Sequence, residues 1–246
     1  MNHAAVQSEI VPEIVPVYVW QVPVRVTHWL IALSIVVLSI TGIYIGNPFI
    51  TVSGPAGEHF LTGWAKVIHG YTAYVFIASV LARIIWMFTG NNYATWDKFV
   101  PVYRPRRKGL LPTALFYLFA KKLPPTYVGH NPLAGGAYAL VFGLYFLAMG
   151  TGLVMRGASA GVGSAVATFA SLAPLFGGLQ MARWIHHIVM WLLLGFAVHH
   201  IYSSILVAII EKNGTLDSIF AGYKWVHREA LGPGPYRWLH KGELDE

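Results

Sequence analysis

Histidine is the residue type best able to do chemistry in this chain. Eleven histidines stand against no cysteine in 246 residues, which excludes disulfides, iron-sulfur ligation, a thiolate nucleophile and covalent haem attachment through thioethers. Any redox centre must therefore be held non-covalently. His3, His59, His130, His227 and His240 fall in tails or loops, where a solvated or interfacial imidazole is expected. His28, His69, His186, His187, His199 and His200 fall within or at the edge of long apolar stretches. An ionisable side chain is costly there, so each is a candidate functional residue, although a lone one would more simply be a helix-packing group.

Spacing sorts these six. His186 and His200 are fourteen residues apart, which on a helix places them within about 40° on one face and about 21 Å apart along the axis. The pairings that use His187 or His199 are about 120° to 140° out of line. Only His186 and His200 share a face.

The elements that must position them are membrane helices. The chain is 56% hydrophobic and 11% charged, against about 25% charged in ordinary soluble domains. Four stretches are long enough to span a bilayer: about His28 to Ile45, Val67 to Phe88, Leu133 to Met155 and Trp184 to Ile210. Leu110 to Ala120 and Val162 to Leu175 are too short or broken by proline, and are expected at the interface. Up to Gln21 the only charges are Glu9 and Glu13, without a signal-peptide pattern, so the first span is expected to serve as its own insertion signal. The fold expected is one all-α domain over residues 1–246, a polytopic membrane four-helix bundle with short interfacial helices.

The net charge of +7 reflects topology rather than nucleic-acid binding, since no basic patch with interleaved aromatics sits on a soluble module. One basic residue precedes the first span (Arg25), seven lie in the central loop (Lys98, Arg104, Arg106, Arg107, Lys108, Lys121, Lys122) and five in the C-terminal tail, against Lys66, Arg156 and Arg183 in the other two loops. This excess places both termini and the central loop in the cytoplasm. Antiparallel helices then set His69 level with His186 at the outer side and His28 level with His200 at the inner side.

Two histidine pairs at two depths are what two bis-histidine haems stacked across a bilayer require, each iron taking one imidazole from either face of the ring. Filled axial positions favour electron transfer over oxygen chemistry. Zinc wants three or four ligands around one point, which separated pairs do not provide. A transporter or proton-coupled channel would use intramembrane carboxylates, and none of the four stretches holds Asp or Glu. A passive anchor with packing histidines is the remaining alternative.

Two further positions follow the same spacing. Gly42 lies fourteen residues after His28, at the outer level, and either makes room for a macrocycle or lets helices pack closely. Arg83 lies fourteen after His69, at the inner level, and either pairs with a haem propionate or snorkels to the interface.

The surrounding segments resemble a known family. Pro23-Val-Arg-Val-Thr-His28-Trp29-Leu30, Thr41-Gly42-x-Tyr44-Ile45-Gly46-x-Pro48, Ile68-His69-Gly70, Arg83-Ile-Ile-Trp86, Gly90-Asn91-Asn92-Tyr93, Gly129-His130-Asn131-Pro132 and the helix from His186 to Tyr202 are similar to the b-type cytochrome subunit of membrane-bound nickel-iron uptake hydrogenases. The likeness runs over about residues 18 to 228. The Gly-Asn-x-Tyr and Gly-His-Asn-Pro combination points to the hydrogenase branch, while the bare histidine pattern is shared with formate dehydrogenase gamma subunits. The resemblance implies two b-type haems on His28, His69, His186 and His200, in a bacterial plasma-membrane protein. It also implies hydrogenase small and large subunits as periplasmic partners and electron delivery to quinone, without catalysis towards hydrogen by this chain itself. Some relatives carry arginine at the position of His187 and glycine at that of His199, which fits both being spare. The tail after Arg228, with Gly232-Pro-Gly-Pro235, matches no family segment.

Quinone reduction needs electrons and protons together, so its site is expected near the inner haem, at the ends of helices one, three and four. Asn131 is the first candidate for a ring contact, with capping of helix three as the alternative because Pro132 follows it. His130, Arg25 and Tyr223 are further candidates for proton delivery or pocket lining.

Overall fold

The computed structural model describes residues 13–50, 54–55, 57, 59–100, 104–161 and 163–231. Its long elements are α1 (Val22–Gly46), α2 (Leu61–Thr89), α4 (Pro132–Ala158) and α5 (Leu179–Glu211). All four are long and apolar enough to cross a membrane. A shorter α3 (Arg104–Tyr117) contains Pro112, and a 3-10 segment (Ala165–Phe176) contains Pro174. They overlap the two apolar runs that are too short or broken to span, α3 starting six residues before Leu110 and the 3-10 segment extending to Phe176.

The helices begin earlier than hydropathy suggests. α1 starts at Val22 with proline in its first turn, and α5 starts directly after Gly178, whose φ is 95°. Cap chemistry, not the onset of apolar residues, sets these boundaries. His28, His69 and His186 therefore do not open their helices but stand about two turns inside them. α5 also runs one residue beyond the expected span and so ends on a carboxylate, Glu211.

α1 packs chiefly on α2, and α4 packs equally on α5 and on the 3-10 segment, while the α1–α2 and α4–α5 pairs touch each other sparingly. The core between them contains Ile31, Phe76, Val80, Val141, Tyr145, Val189 and Leu193. Phe76 and Leu193 lie seven residues, nearly two turns, from the candidate histidines on their own helices, and Tyr145 of α4 packs with them. They form a mid-depth layer in which the Phe76 and Tyr145 rings meet edge to face at 5.1 Å.

Among the described residues two short elements are strands. β1 (Ile14–Tyr18) pairs antiparallel with β2 (Tyr223–His227), from Ile14 opposite His227 to Tyr18 opposite Tyr223. A four-residue helix, α6 (Ser218–Ala221), precedes β2. The pairing brings both described chain ends to one end of the bundle, here called the strand end. Val19, Trp20, Val24, Ala94, Val128 and Val226 form a second core under it. Trp20 Nε1 donates to Ser218 Oγ at 3.1 Å, and Gln21 Oε1 accepts from Trp86 Nε1 at 2.9 Å and from the Asn91 amide at 2.8 Å. His3, His240 and Gly232-Pro-Gly-Pro235 lie outside the described residues.

Candidate cofactor site

Two histidine pairs face each other across the interval between the helix pairs. Near the strand end, His28 of α1 and His200 of α5 have ring centroids 6.2 Å apart. At the far level, His69 of α2 and His186 of α5 stand at 6.5 Å. All four are half-buried. A metal bonded at about 2 Å to one imidazole nitrogen on either side separates ring centroids by roughly 6 Å. Both pairs fit a bis-imidazole iron. Among the described residues no three His, Asp or Glu gather as a zinc site would need.

The far level is built the same way twice. Gly42 of α1 leaves the His69 ring lying against the helix, where a Cβ would meet Cε1 at 3.4 Å. Gly152 of α4 does the same for His186, at 3.2 Å. The preceding residue is threonine in both cases, with Thr41 Oγ1 2.9 Å from His69 Nδ1 and Thr151 Oγ1 2.9 Å from His186 Nδ1. At the strand level, Tyr138 of α4 reaches His200 Nδ1 with its hydroxyl at 3.2 Å, while His28 Nδ1 is buried without a hydrogen-bond partner. Fourteen residues separate Tyr138 from Gly152, as they do His28 from Gly42 and His69 from Arg83. Gly152, Tyr138 and Thr151 escaped the sequence reading, although that shared period was available to find the first two.

His187 and His199 are turned elsewhere. His187 Nδ1 lies 2.8 Å from the Arg183 carbonyl, and its Nε2 sits where a Cβ on Gly46 would meet it at 2.9 Å. His199 is exposed and approaches Tyr117 of α3 with centroids 6.5 Å apart.

Arg83 is 6% exposed, with both terminal nitrogens donating to the Ala94 carbonyl at 3.4 Å and the guanidinium 5.2 Å from the Phe99 ring centroid. It lies under the loop after α2 instead of reaching open interface.

The strand end gathers most of the other candidates. Asn131 caps α4, its Oδ1 accepting from the Ala134 amide at 2.7 Å, while Nδ2 donates weakly to the Tyr117 hydroxyl at 3.4 Å. His130 is not a solvated loop histidine: it packs on Trp20 at 4.6 Å, Tyr138 at 4.9 Å and Phe99 at 5.5 Å, with Nδ1 sealed from solvent. Burial first, then the nearby cations Arg83, Lys224 and Arg106, push its imidazole well below the ordinary range. Arg106 of α3 donates to the His130 carbonyl at 3.2 Å, so the helix of the central loop holds this turn. Arg25 donates to the Phe220 carbonyl. Tyr223 is not drawn into this group: it lies on the exposed face of the two-stranded sheet, its ring 4.9 Å from that of Tyr18.

The two loop motifs meet here. Asn91 Nδ2 donates to the Val19 carbonyl at 3.0 Å, and Tyr93 packs on Gly129, where a Cβ would come within 3.3 Å of the ring.

Known proteins are similar to this chain. The prokaryotic cytochrome b561 family pattern matches residues 19–222. Proteins named "probable Ni/Fe-hydrogenase B-type cytochrome subunit" are 36% identical in Azotobacter chroococcum, over 85% of this chain and 88% of the relative, and 36% identical in Cupriavidus necator, over 84% and 86%. An Escherichia coli protein named "probable Ni/Fe-hydrogenase 1 B-type cytochrome subunit" is 33% identical over 84% of this chain and 90% of its own length. With its four membrane-length helices, the chain is an integral membrane member of the prokaryotic cytochrome b561 family.

Proposed function

We propose that this chain is the diheme b-type cytochrome subunit of a nickel-iron hydrogenase, passing electrons from the hydrogenase to membrane quinone. The observation that carries the reading is the pair of facing histidine couples at two depths, His69 with His186 and His28 with His200, each at a separation suited to one iron. When bound, two b haems supply one-electron redox chemistry stacked across the membrane.

The chain's own residues bind and orient. Four imidazoles would hold the two groups, His28 with His200 at the strand level and His69 with His186 at the far level. Gly42 and Gly152 leave room beside the far-level rings, and Arg83 places a buried cation at the strand level where a carboxylate of the cofactor can neutralise it. The strand end is cytoplasmic, as the basic central loop and tails indicate. The hydrogenase small and large subunits dock at the far, periplasmic end, beside His69 and His186.

Quinone takes up two electrons and two protons, so its site belongs at the strand end, within reach of cytoplasmic water. Asn131 has an Nδ2 hydrogen to offer a quinone carbonyl beside its cap bond. His130 enters as a neutral lining group, linked to His200 through Tyr138. Arg25 borders this end, and Tyr223 stands at its rim. Proton uptake from the cytoplasm, with hydrogen oxidised outside, separates charge without a pump.

The test is purification of the chain with its bound partner, haem quantification, and hydrogen-driven reduction of the haems followed by re-oxidation with added quinone. Two b haems per chain, both reduced by hydrogen and re-oxidised by quinone, are expected. A haem-free chain, or a quinone-site inhibitor located beside His69 and His186, overturns the reading.

A further inference from the structure

The two threonine contacts at the far level carry more information than packing. A threonine hydroxyl has one hydrogen to give and lone pairs to receive. Thr41 Oγ1 lies 2.7 Å from the Val37 carbonyl and Thr151 Oγ1 lies 2.7 Å from the Leu147 carbonyl, so each commits its hydrogen to its own helix four residues back. Towards the histidines, both oxygens are left as acceptors.

The proton on each ring is thereby located. With each hydroxyl hydrogen turned to its own helix, His69 Nδ1 and His186 Nδ1 donate to the threonine oxygens 2.9 Å away, the Leu38 and Ala148 carbonyls being further acceptors of the same ring protons, which leaves Nε2 of each ring with its lone pair free. That is the form an imidazole needs to ligate a metal, and an accepted Nδ1–H bond makes the ring a stronger electron donor. A stronger donor favours the oxidised metal and lowers its potential.

The strand level is built differently. Among the described residues only His200 Nδ1 has a hydrogen-bond partner, the Tyr138 hydroxyl at a longer 3.2 Å, and His28 Nδ1 has none. Two supported ligands at one level face one supported ligand at the other.

We propose that Thr41 and Thr151 are positioning residues that fix the ligating tautomer of His69 and His186 and hold the far-level haem at a lower potential than the strand-level haem. This rests on the two-haem function proposed above and adds to it an ordering of the two sites. Electrons entering at the periplasmic end then run downhill towards the end where quinone is reduced.

The experiment is a redox titration of haem absorbance in membranes that contain the whole complex. Wild type should show two waves. Thr41→Val and Thr151→Val should each raise the midpoint of the lower wave, both acting on the same wave although they sit on different helices. Thr41→Ser and Thr151→Ser, which keep the acceptor oxygen, should leave it in place. Tyr138→Phe should raise the upper wave alone. Loss of this kind of support typically weakens a metal site by about 10–100-fold, so the valine variants should also release far-level haem at lower detergent than the serine variants. Valine variants with full haem and unmoved waves overturn the proposal, as do valine variants that move different waves or serine variants that lose haem equally. A wild-type complex without two b-haem waves overturns the two-haem reading itself, which is a separate result.

Discussion

His28 and His200 come from the first and last long helices and meet with ring centroids 6.2 Å apart at the strand end. Because the second pair lies at the other level, removing one ligand should empty one site and spare the other. His28→Ala or His200→Ala is expected to leave one b haem per chain, reducible by hydrogen but cut off from quinone. His69→Ala or His186→Ala should leave the strand-level haem, no longer reduced by hydrogen. Pyridine haemochrome assay of each variant checks this, and two haems in any of the four rejects that residue as a ligand.

The neighbours on α5 should behave otherwise. His187 is held by the Arg183 carbonyl against Gly46, and His199 is exposed beside Tyr117. His187→Arg and His199→Gly are both expected to retain two haems with unchanged low-spin spectra. A glycine within α5 should still lower stability by up to about 1 kcal/mol, visible as a small drop in melting temperature. Disappearance of a whole haem signal in either variant would mean that α5 presents another face to the cofactor.

His130 gives a pH dependence with a definite sign. Its imidazole is pushed well below the ordinary range, by burial first and then by Arg83, Lys224, Arg106 and His200. The unfolded chain binds a proton at this residue below about pH 6.5, while the folded chain does not. The stability contributed by neutral His130 is therefore complete above that pH and is lost as the pH falls towards the lowered folded value. Thermal unfolding in detergent should show a shallower loss between about pH 7 and pH 5 for His130→Gln than for wild type. An equal or steeper loss in the variant would show that His130 takes up a proton in the folded protein.

Much of this arrangement is legible in the sequence because helical periodicity is local. The fourteen-residue interval between His186 and His200 needs only the geometry of one helix, and the four spans need only composition. Helix starts were misplaced because Val22 and Leu179 are set by proline and glycine, not by hydropathy. The β1–β2 pairing was invisible because two five-residue strands meet from opposite ends of the chain. Thr41 and Thr151 could not be singled out for a similar reason: a threonine in an apolar helix gains meaning only when a histidine from the neighbouring helix is placed 2.9 Å away. His130 is half-buried and not solvated because Trp20, Phe99 and Tyr138, which are far apart in sequence, pack on its ring.

Asn131 has two jobs in this account, and two substitutions separate them. As N-cap it accepts from the Ala134 amide through Oδ1, and Pro132 fixes the first turn behind it. As quinone contact it must donate through Nδ2, which a carboxylate lacks at neutral pH. Asn131→Ala removes both functions, so it should cost about 1 kcal/mol of stability and also slow haem re-oxidation by quinone. Asn131→Asp keeps the cap, because aspartate is as good as asparagine at that position, but loses the donor. It should melt near wild type, keep both haems and their reduction by hydrogen, and still re-oxidise slowly. The measurement is stopped-flow re-oxidation of hydrogen-reduced complex by excess quinone, alongside a melting curve for each variant. Wild-type re-oxidation in Asn131→Asp would leave Asn131 only its cap and move the quinone carbonyl to another donor at the strand end.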